Sequence, residues 1–475
     1  MSAFIPSIGL ETHVQLLTRT KIFCGCAHTR GGEPNTRVCP VCLGYPGAMP
    51  VLNREAVRLT VRAGLLLGCE ISRRSKWDRK NYFYPDMPKN YQISQYDQPL
   101  CLGGGIEIET GAGRKFIRIH RIHLEEDVGK NTHFEHSSGV DFNRAGTPLM
   151  EIVTEPDLSS PDEAMAYLTA LKEILLHGGI SECNLEEGNM RCDINVSVRP
   201  ETRAELGTKV ELKNMNTFKG VHHALAYEIQ RQIETLDSGG ALVQETRRWD
   251  DALGMTETMR TKEEAHDYRY FPEPDLLPVE LSEEEIAAWR EQLPEAPRDR
   301  RARFMHEFGL PEYDAGVLVA DRDIAEFFEA AARASGNYKA VSNWIMTEVL
   351  RSLSETGRRI GACALQPGAL AALIRLVDAG AMNMPSAKTV FAELMERGGE
   401  PEEIMNRQGL AQVSDSGAIE SMAEQAIREN PQSVEAYRGG KAAALQFLIG
   451  QVMKLSRGKA HPQRVAELLR SKLDT

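Results

Sequence analysis

The sequence predicts an α+β domain with a mainly antiparallel sheet, followed by an all-helical second part, and three observations carry that reading. Runs of alternating apolar and polar residues recur between Gly9 and Val198, the period-two pattern of strands with one buried face. Helical patterns are interleaved with them, over residues 53–69 and 161–178. From about Ser282 onward strand patterns stop, and Glu-, Ala- and Leu-rich helical patterns run on, broken at Pro294 to Pro297 and at Gly398-Gly399. With 475 residues the chain has room for roughly two to four domains.

The first strand, Gly9 to Leu16, sets Glu11, His13 and Gln15 on one face and Leu10, Val14 and Leu16 on the other. Two close cysteine pairs follow, Cys24 with Cys26 and Cys39 with Cys42, the second as a CPVC turn. Four thiolates suit tetrahedral Zn²⁺ better than free thiols or a redox pair would explain them, and a closed four-sulfur shell is structural. Cys69, Cys101, Cys183, Cys192 and Cys363 lack such spacing and are expected to be small core residues. Asn53 then caps a helix with apolar Ala56, Val57, Val61, Leu65 and Leu66. Residues 78–95 combine four aromatics with Arg79, Lys80 and two prolines; they read equally as a loop that stacks on a base and holds phosphate or as an ordinary Tyr-rich surface loop.

Next come the β-formers Phe116, Ile117, Ile119, Ile122 and Leu124, whose parity change near His120-Arg121 implies a bulge. The strand ends in Glu125-Glu126-Asp127, which project to different sides. In Thr147 to Val153 a single acid, Glu151, sits inside an apolar run, and a buried carboxylate needs a cation or donor beside it. Carboxylates and one imidazole converging from these strands suit Mg²⁺ or Mn²⁺. Ser160 and Pro161 open a helix that ends at Gly178, and Asn189 to Val198 alternates again, with Arg191, Asp193, Asn195 and Ser197 on one face.

Hydrophobic residues make up 42% of the chain and no apolar run approaches membrane-spanning length, which excludes a helical membrane protein and points to the cytoplasm. A net charge of −12 argues against binding nucleic acid over the whole surface. The tail departs from that balance: from Val434 to Thr475 eight Lys or Arg stand against three acids. Lys441, Lys454, Arg457 and Lys459 lie in or beside a helical pattern striped by Leu445, Leu448, Val452 and Leu455, a basic helix suited to an RNA backbone.

Eight segments in order, among them IGLETHVQL, HLEEDVGK, NRAGTPLMEIVTEPD, RCDINVSVRP, ELKNMNTFK and DYRYFPEPDL, resemble the blocks of one family over the whole chain: the B subunit of the aspartyl/glutamyl-tRNA amidotransferase, GatB. The resemblance implies a cradle domain over residues 1–293, similar in fold to glutamine synthetases and guanidino kinases and carrying the 24–42 zinc loop. It implies a helical domain over 294–405 and a YqeY-like, tRNA-binding tail over 406–475. The implied activity is that of a ligase (EC 6.3.5.-): ATP-dependent phosphorylation of the side-chain carboxylate of Glu-tRNA(Gln) or Asp-tRNA(Asn), then amidation by ammonia. The implied partners are a glutaminase A subunit and a small C subunit in a heterotrimer. Glu11, His13, Glu126 and Glu151 match the catalytic blocks, with His13, Glu125, Glu126 and Glu151 around Mg²⁺. The residues leave open which of Glu125 and Glu126 faces the metal; the family match favours Glu126. Arg191, Asp193, Asn195 and Lys213 are the implied ATP or acyl-group contacts. A free-standing ligase for a small acid and a non-enzymatic zinc and tRNA scaffold are the competing readings.

Overall fold

Period-two burial is what organises residues 1–297: in a computed structural model, which describes residues 4–29, 31–261, 268–412, 416–456, 460 and 462–474, short strands form small separate sheets and ten strands of this unit join one large sheet. Its principal strands are β1 (Phe4–Gln15), β2 (Gly113–Glu126), β3 (Pro148–Thr154), β4 (Met190–Pro200), β5 (Val210–Lys213), β6 (Glu245–Asp250) and β7 (Met255–Thr261). In space they run β7-β6-β5-β4-β1-β3-β2, so the first strand of the chain lies in the middle. These neighbours are antiparallel except β5 and β6, which are parallel.

Leu10 and Val14 of β1, Ile122 and Leu124 of β2, Ile152 of β3 and Ile194 and Val196 of β4 form one buried face. Helices α1 (Arg54–Leu66), α2 (Pro161–His177) and α3 (Phe218–Asp237) pack into the same core through Val57, Val61, Leu168, Leu171, Val221 and Leu225. Each such side chain contributes about 1.5–3 kcal/mol on burial, which fixes the face that each strand turns inward. Asn53, Ser160 and Thr217 cap the three helices by accepting from backbone N–H groups of Glu55, Glu163 and Gly220. The bulge implied near His120 is present: Val153 pairs with Arg121 but Thr154 with Ile119. Residues 78–95 are not a plain loop, because Asp78–Asn81 and Tyr91–Ser94 pair as two short antiparallel strands. Cys69, Cys101, Cys183 and Cys192 are buried, whereas Cys363 is only half-buried.

Residues 298–475 form the second unit, and its described elements are helical. Within it one core gathers residues from Phe304 to Met405 and another from Ile419 to Leu473. Helix α4 (Ala442–Leu455) buries Leu445, Leu448 and Val452 in the latter, but Leu455, expected in the same stripe, is exposed. Lys441 precedes the first turn of α4 and Lys454 lies in its last, both exposed. Arg457 and Lys459 lie outside the described residues. Among the described residues no helix is long and apolar enough to cross a membrane.

Candidate active site

The face of the sheet turned away from the apolar core is polar, and register aligns its residues in rows. His123 of β2, Glu151 of β3, His13 of β1 and Arg191 of β4 stand side by side across four neighbouring strands. One row along, Glu11 is paired with Asp193. In the other direction, Glu125 is opposite Leu149 and Leu149 opposite Gln15.

His13, Glu125 and Glu151 bring three ligand atoms within 4.8 Å of one another. Nε2 of His13 is 3.5 Å from Glu151 Oε2 and 3.7 Å from Glu125 Oε1. One nitrogen and two carboxylate oxygens form a donor set for a hard divalent cation, leaving the rest of its shell to water or phosphate oxygens. His123 was not anticipated from the sequence; its Nε2 is 3.2 Å from Glu151 Oε2 and 3.8 Å from Glu125 Oε2. Burial disfavours charge on Glu151, yet His123 and His13 hold its carboxyl well below the usual range. Burial likewise opposes protonation of His13, but Glu151 and Glu125 outweigh it and raise the imidazole to about 9.

Glu126 does not belong to this group, contrary to the sequence expectation. It follows Glu125 on the same strand and so projects to the opposite side, where Lys89 Nζ lies 2.5 Å from both of its oxygens and Ile93 N–H donates to Oε1 at 2.9 Å. Asp127 turns toward a third environment: Arg191 reaches Oδ1 at 2.9 Å and Gln15 Nε2 donates to Oδ2 at 2.9 Å. Although burial works against it, Arg191 and Arg144 lower the Asp127 carboxyl. Arg191 therefore borders the site as the partner of a buried acid.

Two cavities meet at His13 and Glu125, and Glu151 lines one of them. One, of about 390 Å³, is lined by Glu11, Asp193, Asn195, Lys213, Tyr96 and Tyr270 among others. The other, of about 540 Å³, is lined by Arg191, Arg248, Tyr82, Val128 and Met259 among others. His13, Glu125, Asp193, Lys80 and Lys213 line both. Asn195 Nδ2 donates to Glu11 Oε1 at 2.8 Å, while burial, Glu151 and Asp193 raise the Glu11 carboxyl. Lys213 bonds Asp193 and lies 3.0 Å from Glu211; those two acids overcome burial and keep its ammonium above its ordinary pKa. Lys80 Nζ sits 4.8 Å from the Tyr268 ring centre. Its neighbour Arg79 is held elsewhere, in a bidentate pair with Glu273 at 2.7 and 2.9 Å. Tyr96 and Tyr270 stack at 4.2 Å on the rim of the smaller cavity.

Cys24, Cys26, Cys39 and Cys42 also converge, with all four sulfurs within 4.8 Å. Cys39 and Cys42 Sγ are 3.9 Å apart, near the roughly 3.8 Å edge of a tetrahedron with 2.3 Å Zn–S bonds. The donor set fits zinc.

A family model described as the GatB/GatE catalytic domain matches residues 6–287, a span that contains both cavities and the four cysteines. The chain belongs to the GatB family. A second model, described as a GatB domain, matches residues 326–473, including Lys441 and Lys454. The B subunit of the aspartyl/glutamyl-tRNA(Asn/Gln) amidotransferase of Thermoanaerobacter sp. (strain X514) is 54% identical over 468 residues, 98% of each chain. Its counterpart in Caldanaerobacter subterraneus subsp. tengcongensis is 55% identical over 468 residues, again 98% of each. That of Nitratidesulfovibrio vulgaris (strain DP4) is 51% identical over 475 residues, 100% of each. This GatB-family chain thus matches such relatives over 98–100% of its length.

Proposed function

We propose that the protein is the B subunit of a tRNA-dependent amidotransferase, a glutamine-dependent ligase that turns the carboxylate of a glutamyl or aspartyl group esterified to tRNA into its amide. The observation that carries the site assignment is one nitrogen and two carboxylates within 4.8 Å of one another, of which His13 and Glu125 line two cavities at once and Glu151 lines the smaller. A carboxylate does not exchange an oxide for ammonia; once phosphorylated by ATP, it loses phosphate as a stable leaving group. Phosphoryl transfer is mainly a matter of positioning and charge neutralisation. Mg²⁺ or Mn²⁺ held by His13, Glu125 and Glu151 would supply neutralisation of the phosphate charge. Lys80 and Lys213, on the wall that the cavities share, present ammonium groups to phosphoryl oxygens. Glu11, Asp193 and Asn195 orient groups in the smaller cavity, and Arg191 keeps Asp127 charged at the edge of the larger one.

We read the sheet as a cradle similar to that of glutamine synthetases and guanidino kinases, over residues 1–293, with a helical domain over 294–405 and a YqeY-like tail over 406–475. Zinc in the four-cysteine loop is structural. Ammonia comes from a glutaminase A subunit, braced by a C subunit, in the cytoplasm. ATP hydrolysis by the complex tests the reading: mischarged tRNA should stimulate it. Stimulation by a free amino acid instead would indicate a small-acid ligase, and no hydrolysis a scaffold.

Because His13 titrates near 9, the metal-free site carries a proton at neutral pH, and metal binding through Nε2 must release it. Apparent Mg²⁺ affinity should therefore rise about tenfold per pH unit until about pH 9 and level off above it. Calorimetric titration in two buffers of different ionisation enthalpy should show about one proton released per metal; no release would remove His13 from the shell. In the tail, Lys454→Gln combined with Arg457→Gln should weaken tRNA binding and reduce the salt slope by about 0.7–0.9 per lost phosphate contact. An unchanged slope would make the helix face merely solvated.

A further inference from the structure

Lys21 is an unusual residue in the core of the first unit: it is completely buried, a burial that lysine rarely tolerates without a charge partner. Its ammonium lies 3.5 Å from Cys42 Sγ and 3.3 Å from the carbonyl of Phe142. Among the described residues no carboxylate pairs with it. One neutral carbonyl and one neutral thiol would leave the ammonium poorly compensated, whereas a thiolate at Cys42 supplies the missing charge.

The cysteine loop has the complementary excess. Four thiolates around a divalent ion leave a net charge of −2, and Cys42 is the buried member of the four. Two donors already converge on its sulfur, the ammonium of Lys21 and the backbone N–H of Cys39 at 3.2 Å. Backbone structure holds Lys21 there: its N–H donates to the carbonyl of Cys26 inside the loop, and the Asn53 cap side chain reaches the Lys21 carbonyl at 3.4 Å. Gly146, at φ +81°, passes beside both: a Cβ on it would be in ordinary contact with Cys42 Cβ at 3.5 Å and Lys21 Cδ at 3.6 Å, with Glu126 Oε2 at 3.9 Å.

We propose that Lys21 is the charge partner of the four-cysteine site, offsetting one of the two excess negative charges and keeping Cys42 on the metal. This rests on the reading of the loop as a zinc site. Groups just outside a metal shell commonly set affinity by about 10–100-fold. Through the Phe142 carbonyl, the same ammonium ties the loop to the turn that leads into β3.

The test is zinc retention by the full-length protein in complex with its partner subunits, read by metal analysis during competition with a chelator. Wild type should hold one zinc per chain. Lys21→Met, close to isosteric and uncharged, should hold zinc but with affinity reduced about 10–100-fold, and Lys21→Arg should recover most of it. Should the Met variant fail to fold, Lys21→Gln, which still donates to Phe142, takes its place. Cobalt in place of zinc gives a second readout, with weaker thiolate-to-metal absorption in the neutral variants. Affinity within twofold of wild type in a folded neutral variant overturns the role of Lys21. A wild-type protein with no zinc and no cobalt absorption overturns the zinc reading itself, and the proposal with it.

Discussion

Replacing Glu151 with glutamine is expected to lower tRNA-stimulated ATP hydrolysis by about 10³-fold or more while leaving tRNA affinity within twofold of wild type. The carboxylate lies between His13 and His123 on the central strands and is one of three groups available to a divalent cation. Glutamine preserves volume and one carbonyl oxygen, so the sheet should persist while the charge that opposes the metal is lost. Removing a single preorganised electrostatic contact costs about 10²–10³ in turnover, and here the loss of metal adds to it. Glu125→Gln should behave in the same way. If tRNA affinity fell in parallel with turnover, the group around His13 would be a tRNA contact and not the metal site.

Glu126→Gln should fail differently, by instability. The substitution leaves the Lys89 ammonium without its carboxylate partner beside a nearly closed environment, Glu126 being 2% exposed. Breaking a buried ion pair from one side costs about 3–5 kcal/mol. Denaturant unfolding should report a loss of that size, and calorimetry on the folded protein should report an Mg²⁺ affinity close to wild type. Unchanged stability with lost metal affinity would return Glu126 to the metal shell and displace Glu125.

Those two adjacent acids show how much of the site alternation alone can place. Ile122 and Leu124 face the core, so alternation beyond the bulge sends Glu126 with them and Glu125 with His123 toward the cavities. The same parity exposes His123 as a site residue; the apolar members of the strand, which dominate its composition, hid it. Glu11, His13, Asp193 and Asn195 were legible because each is a polar residue on the outward face of a strand whose inward face is uninterruptedly apolar or small. Lys89 with Glu126, and Arg191 with Asp127, were not: their partners are 37 and 64 residues apart, and only the folded sheet determines which charges meet. The hairpin of residues 78–95 was hidden for a related reason, since its strands are only four residues long and polar, and Pro85 and Pro88 between them read as loop.

The central place of β1 also has a consequence for how the protein is made. Its hydrogen-bonding edges are filled by β3, which begins at Pro148, and by β4, which ends at Pro200. At roughly 5–20 residues per second a ribosome needs about 10–40 s to travel from the end of β1 to the end of β4. Until β3 is made, a strand with one greasy face waits in the nascent chain with two open edges, and one edge stays open until β4 follows, an invitation to mispairing with neighbours on the same polysome. The arrangement that gathers His13, Glu151 and Arg191 into one row thus completes that row only when the latest of the three strands has been synthesised, and puts a premium on early shielding of the N-terminal segment.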